Sequence, residues 1–176
     1  MTTDEFNAVF DCEVVKPLTE SGFRSHGKTL YWKDNERCFS LIRLGGRMQR
    51  PNAIAYIAAF RHNFLRDLNE KIPSRITSEV FAYPFKFLPL KSNSIPRYRP
   101  QNLNFESEYI EYNEKAPDVL SQLASLRSKI LDYHLPSAMD LTTEKAFEQI
   151  RDNGESAWIE SIWLEDYEQH FSNPRA

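Results

Sequence analysis

Over the first eighteen residues the apolar positions fall at Phe6, Val9, Phe10, Val14 and Leu18, the three-and-four spacing that lines one helix face. Thr2 and Glu5 form a capping box at its start, each placed to satisfy an orphan N–H of the first turn. Pro17 is expected to kink or end this helix near Lys16, because proline removes a hydrogen bond and crowds the carbonyl four residues back. Gly22 then offers the left-handed position that closes a helical turn, with Phe23 as the apolar contact that follows.

From Lys28 the period changes to two. Thr29 to Lys33 and Arg37 to Leu44 are rich in aromatic and branched residues and flank Asp34-Asn35-Glu36, which predicts a hairpin. Gly45-Gly46 releases the chain. Residues 52–60 carry apolar side chains on both alternating faces, Ile54, Tyr56, Ala58 and Phe60 on one and Ala53, Ala55, Ile57 and Ala59 on the other. A central strand covered on both sides has this pattern, and a short buried helix is the rival reading. In residues 61–101, Pro73, Pro84, Pro89, Pro96 and Pro100 interrupt the apolar clusters around Phe81, Phe85 and Phe87. One further strand with long irregular connections is expected there. Leu103, Phe105 and Tyr109 alternate with Asn104, Glu106 and Glu108, as in a strand with one wet face.

The last third reads as helical. Pro117 and Asp118 suit a first turn, and Val119, Leu123, Leu126, Ile130 and Tyr133 form a stripe that ends before Pro136. A second helix spans about Thr143 to Asp152, closed by Asn153-Gly154. A third spans Ser156 to Phe171 with Ile159, Ile162, Trp163 and Tyr167 on its apolar face. The expected architecture is α+β in a single globular domain, residues 1–176: an N-terminal helix, an antiparallel sheet of about four to five strands, and three C-terminal helices.

The N-terminal amphipathic helix, the Pro17-Leu18-x-x-x-Gly22-Phe23 turn, the Gly27-Lys28-Thr29-Leu30-Tyr31 strand start and Leu135-Pro136 in the helical last third together resemble bacterial domain-of-unknown-function family 4304. The resemblance covers most of the chain and rests on structural motifs. It implies a fold and a bacterial source, and it brings no activity and no catalytic residue. Analogy with small domains found beside toxins adds an immunity-type role as an expectation.

Composition changes the picture in two respects. The 176 residues, 41 % hydrophobic and 13 % aromatic, support an ordinary core without metals or disulfides. The charge, although only −3 in total, is sorted by segment: residues 24–101 hold 15 Lys and Arg against 5 Asp and Glu, whereas the flanking segments sum to −13. Two cysteines, Cys12 in a helical pattern and Cys38 in a strand-like one, stand in no C-x-x-C pair and read as buried free thiols of a reducing compartment. With no signal-peptide stretch and no uncharged run near the ~20 residues of a membrane span, a cytoplasmic protein is expected.

Candidate chemistry is sparse. Glu106 and Glu108 would share a strand face, yet no His or ligand loop accompanies them, and a solvated edge explains them. His134, in Asp132-Tyr133-His134, reads as a last-turn residue complementing the helix dipole. His26, His62 and His170 have no ligand spacing, Gly45-Gly46-Arg47 lacks the phosphate-loop pattern, and no nucleophile elbow is present. No cofactor or metal is expected. The strongest candidates for a partner-binding surface are Arg43, Arg47 and Arg50 with Arg97, Tyr98 and Arg99, a cationic patch with an aromatic if their loops share one end of the sheet. Trp158, offset from the Ile159 stripe, is a candidate interface anchor on an acidic helix.

The sequence therefore points to a non-enzymatic binding domain. Its expected partner is another protein, such as a toxin whose basic surface meets the acidic C-terminal helices. A nucleic acid on the basic middle segment is the alternative, and an enzyme whose site assembles only in space is the third reading.

Overall fold

A computed structural model describes residues 1–45, 50–98, 108–113, 118–153 and 158–173, without the side chain of Trp158. The chain is α+β, with an N-terminal helix, an antiparallel sheet and C-terminal helices. The sheet strands are β1 (Arg24–His26), β2 (Thr29–Lys33), β3 (Arg37–Arg43), β4 (Ala53–His62), β5 (Phe85–Phe87), β6 (Arg97–Tyr98) and β7 (Tyr109–Glu111). They lie in the order β1-β2-β3-β4-β5-β6, with β7 paired to the first part of β4 and β5 to its last part.

Seven strands exceed the expected four to five. The additional ones are short, and β1, Arg-Ser-His with all three residues exposed, has no apolar alternation for a sequence reading to detect. Its pairing instead comes from the Gly27-Lys28 turn, where Gly27 takes φ +57, the positive angle that two-residue hairpins require. β4 is a strand and not a helix, and all ten of its residues are buried, as expected for a central strand covered on both faces. Of the strand expected over residues 103–109, residues 103–107 lie outside the described residues. Glu108 is not on a wet face: it is fully buried, and its carboxylate oxygens accept the Leu90 N–H at 3.0 and 3.1 Å.

The helices are α1 (Thr3–Phe10), α2 (Lys16–Glu20), α3 (Val119–Lys129), α4 (Leu135–Met139), α5 (Thr143–Asn153) and α6 (Trp158–Ser172). Thr2 and Glu5 form the expected capping box. Pro17 does not break the N-terminal helix. A π-helical turn, Asp11–Val15, precedes α2, and Pro17 is the second residue after it. The same device recurs at Ile130–His134, with Pro136 second in α4, so the helix runs through Pro136 to Met139 and does not stop before it. A wide turn shifts the carbonyls out of the i−4 register that a proline ring would strike. Beyond α2 the chain closes as expected: Gly22 takes φ +92, Phe23 N–H donates to Leu18 O at 3.0 Å and Gly22 N–H to Thr19 O at 3.0 Å, the paired bonds of a Schellman cap.

Residues paired across a sheet share a face, so the register divides the side chains into two sets. Trp32, Phe39, Phe60, Phe85 and Tyr98 fall in one row, and Leu30, Leu41, Ala58 and Phe87 in the next. This face carries the main core, where residues of α1 to α6 pack; Phe6 stacks on Tyr112 at 4.7 Å and Phe10 on Tyr56 at 4.8 Å. The second face carries Arg24, Tyr31, Ser40, Ala59, Lys86 and Arg97 in one row and Lys33, Cys38 and Arg61 in another. A smaller apolar cluster forms there under an irregular segment that supplies Ile76, Val80, Ala82 and Tyr83. Two further expectations fail. Cys12 is exposed, on the outer side of the first helix. Tyr133 is 43 % exposed with the Lys129 ammonium 4.9 Å over its ring, because the π turn rotates it off the apolar stripe.

Candidate functional site: a cationic cleft on the second sheet face

The β1–β2 hairpin builds one wall of a cleft of about 660 Å³. Alternation sends Arg24 and His26 of β1, and Tyr31 and Lys33 of β2, to the second face. Ser74, Arg75 and Ile76 of the covering segment form the opposite wall. Arg24, His26, Lys33 and Arg75 are exposed, and among the described residues none of them makes a side-chain hydrogen bond or ion pair. Asp34 also lines the cleft, but its carboxylate is committed to Arg37 at 2.8 and 3.0 Å and to the Glu36 and Arg37 N–H groups. Burial pushes Asp34 up, yet those backbone N–H groups and the Arg37 guanidinium outweigh it and hold the carboxyl below its ordinary value.

Beneath the cleft lie Cys38, Arg61, Thr77 and Tyr83. Tyr83 donates its hydroxyl to Thr77 O at 3.0 Å, so its oxygen accepts from Ser40 at 2.9 Å and Ser40 accepts from the Cys38 thiol at 3.6 Å. Burial pushes both Cys38 and Tyr83 up, so this chain of hydrogen bonds holds a protonated thiol, which is a poor nucleophile. Among the described residues no group of three His, Cys, Asp or Glu is placed to hold a metal, and no helix is long and apolar enough to cross a membrane.

The sequence-derived candidates do not form one patch. Arg43 pairs with Tyr56 and so belongs to the helix-covered face, where it donates to Asn7 Oδ1 at 3.2 Å. Arg50 lies near it beside a second cleft of about 280 Å³, with its guanidinium 3.9 Å over the Tyr109 ring. Arg97 pairs with Lys86 on the other face, three strands away. Tyr98 is 8 % exposed, packs against Trp163 and Phe85, and donates its hydroxyl to Glu160; it is a core residue. Arg47 and Arg99 lie outside the described residues, as does the Trp158 side chain at the start of α6.

The acidic face of α6 is also partly internal. Glu160 is buried, Asp166 accepts from Arg66 Nε at 2.6 Å and from Arg66 N–H at 2.7 Å, and Glu165 pairs with the same guanidinium. His134 is not a dipole-capping residue at a helix end: it is fully buried in the π turn, with Nε2 2.9 Å from Ser92 O. Sequence reasoning missed Arg24, Lys33, Arg61 and Arg75. The i,i+2 pairs Arg24/His26 and Tyr31/Lys33 carried a usable signal, but only strand register shows that Arg61 sits behind Lys33. Comparison with family models, curated proteins and solved structures finds no match to this chain.

Proposed function

We propose that the chain is a non-enzymatic binding domain that holds an acidic protein through the cationic cleft on the second face of its sheet. One observation carries this reading: Arg24, Lys33 and Arg75 surround a single cleft and, among the described residues, have no internal carboxylate bound to them, while Glu160, Glu165 and Asp166 of α6 are engaged within the chain. The segment bordering the cleft also exposes Ile72 (55 %) and Phe81 (75 %), and apolar area beside charge suits a protein interface. A long nucleic acid fits less well, since a polyphosphate extends past the ~10 Å screening length toward segments that carry −13. An acidic epitope of limited size avoids that repulsion. A neutralising, immunity-type role in a bacterial cytoplasm, and kinship with the family that the sequence resembles, belong to the same proposal; charge steering would speed such a capture.

The test is a low-salt pull-down with the wild-type chain and with the triple variant Arg24→Glu, Lys33→Glu, Arg75→Glu. An acidic protein retained by the wild type and lost by the variant, with association slowed by added salt, is expected. Recovery of RNA or DNA, or equal retention by the variant, would overturn the reading.

A further inference from the structure

A smaller cavity of about 20 Å³ shares Lys33, Arg75 and Ile76 with the cleft and reaches Arg61. That volume holds an oxygen-sized atom. Arg61 is only 4 % exposed, and it donates to backbone carbonyls alone, Nε to His62 O at 3.5 Å, Nη1 to Ala82 O at 3.0 Å and Nη2 to Leu65 O. A guanidinium carries five N–H groups, so two are left over. Among the described residues no carboxylate touches Arg61; Asp67 acts on it only at a distance and accepts instead from the Asn69 and Lys71 N–H groups. A buried cation without a counter-charge is destabilising, and Lys33 and Arg75 beside it add repulsion.

We propose that this cavity is an oxyanion site for a phosphate monoester, with one oxygen seated against Arg61 and the others held at the mouth by Lys33 and Arg75. A phosphate monoester matches the site in two respects. It carries about −1.5 to −2 charges and three acceptor oxygens, against three cations, where a carboxylate offers one charge. Its oxygens also suit the forked donors of two guanidinium groups. No bond is made or broken: Cys38 is engaged by Ser40, and Ser40 by Tyr83, so neither serves as a nucleophile here. The inference deepens the binding reading above and rests on it only for the carrier, a phosphorylated side chain of the acidic partner.

The experiment is an amide NMR titration of the full chain with inorganic phosphate against sodium chloride at matched ionic strength. Saturable shifts around Lys33, Arg61 and Arg75 are expected. Lys33→Ala and Arg75→Ala, both at exposed positions, should each weaken phosphate about tenfold, the effect of one charge-assisted hydrogen bond. Arg61→Lys, in protein shown to be folded by its amide spectrum, keeps the charge but loses the forked donors and should also weaken binding, whereas Arg97→Ala should leave it unchanged. Shifts no larger than those with chloride, an equal response to acetate, or unaltered phosphate binding in the Lys33→Ala/Arg75→Ala double variant would overturn the assignment. Phosphate binding without capture of any protein removes the protein-binding reading alone, and capture without a phosphate response removes the oxyanion site alone.

Discussion

Lowering the pH should destabilise this protein through His62. The imidazole is 2 % exposed between Phe60, Phe64 and Tyr167. Its Nδ1 stands 2.7 Å from the Tyr167 hydroxyl, and the Leu141 carbonyl lies close enough to act on the ring. The Tyr167 hydroxyl can donate to Nδ1 of the neutral ring. Burial first, then the nearby charges of His170 and Arg37, push its pKa down from 6.5 to about 4, against the opposing pull of the Leu141 carbonyl and Asp34. Between these values the unfolded chain binds a proton that the folded chain refuses. Stability is therefore complete above the unfolded value of 6.5, declines as pH falls toward 4, and loses no more from this residue below that. The full difference corresponds to roughly 3 kcal/mol, of which about 2 kcal/mol falls between about pH 7 and about pH 5. Burial lowers His134 in the same direction, so the effect of His62 must be isolated by substitution. His62→Asn keeps a polar atom near the Nδ1 position. Urea unfolding followed by tryptophan fluorescence at the two pH values should show the wild type losing about 2 kcal/mol more than this variant. Equal losses in the two proteins, or an NMR titration of the His62 ring near 6.5, would refute the reasoning.

Asp166→Ala should lower stability by about 1–3 kcal/mol in urea titration, because the Arg66 N–H and Nε that it accepts lose a largely buried acceptor. Phosphate binding should not change, and a linked loss would contradict the separation of α6 from the cleft. Phe81→Ser, at a side chain 75 % exposed, should alter stability by less than about 0.5 kcal/mol while reducing partner capture in the pull-down. A clear drop in melting temperature would mean that Phe81 packs instead of waiting for a partner.

The charge partition acquires a physical meaning that segment sums do not supply. Arg66 and Arg37 belong to the basic middle and are held by carboxylates, Glu165 and Asp166 for one and Asp34 for the other. Part of the segregation is thus complementarity within the chain, such as ties a loop after β4 to α6. Arg24, Lys33 and Arg75 are among the cations left facing outward, and these three line one cleft. Arginine content alone cannot separate the two groups, because the pairing depends on which carboxylate the fold brings within reach.

The sequence by itself determined the elements with strong periodicity: the capped first helix, the β2–β3 hairpin, the doubly buried β4 and the helical last third. In these, local spacing and burial agree, so each element is legible from its own residues. Tertiary structure decided what short or polar segments do. It paired Arg-Ser-His as an edge strand, buried Glu108 against the Leu90 N–H, and carried two helices past Pro17 and Pro136 on π turns. It also decided the candidate site. Arg43 and Arg97 fall on opposite faces, while Lys33, Arg61 and Arg75 come together from a hairpin, a central strand and a covering segment. The physical reason is that side-chain direction in a sheet follows strand register, and register is set between segments distant in the chain.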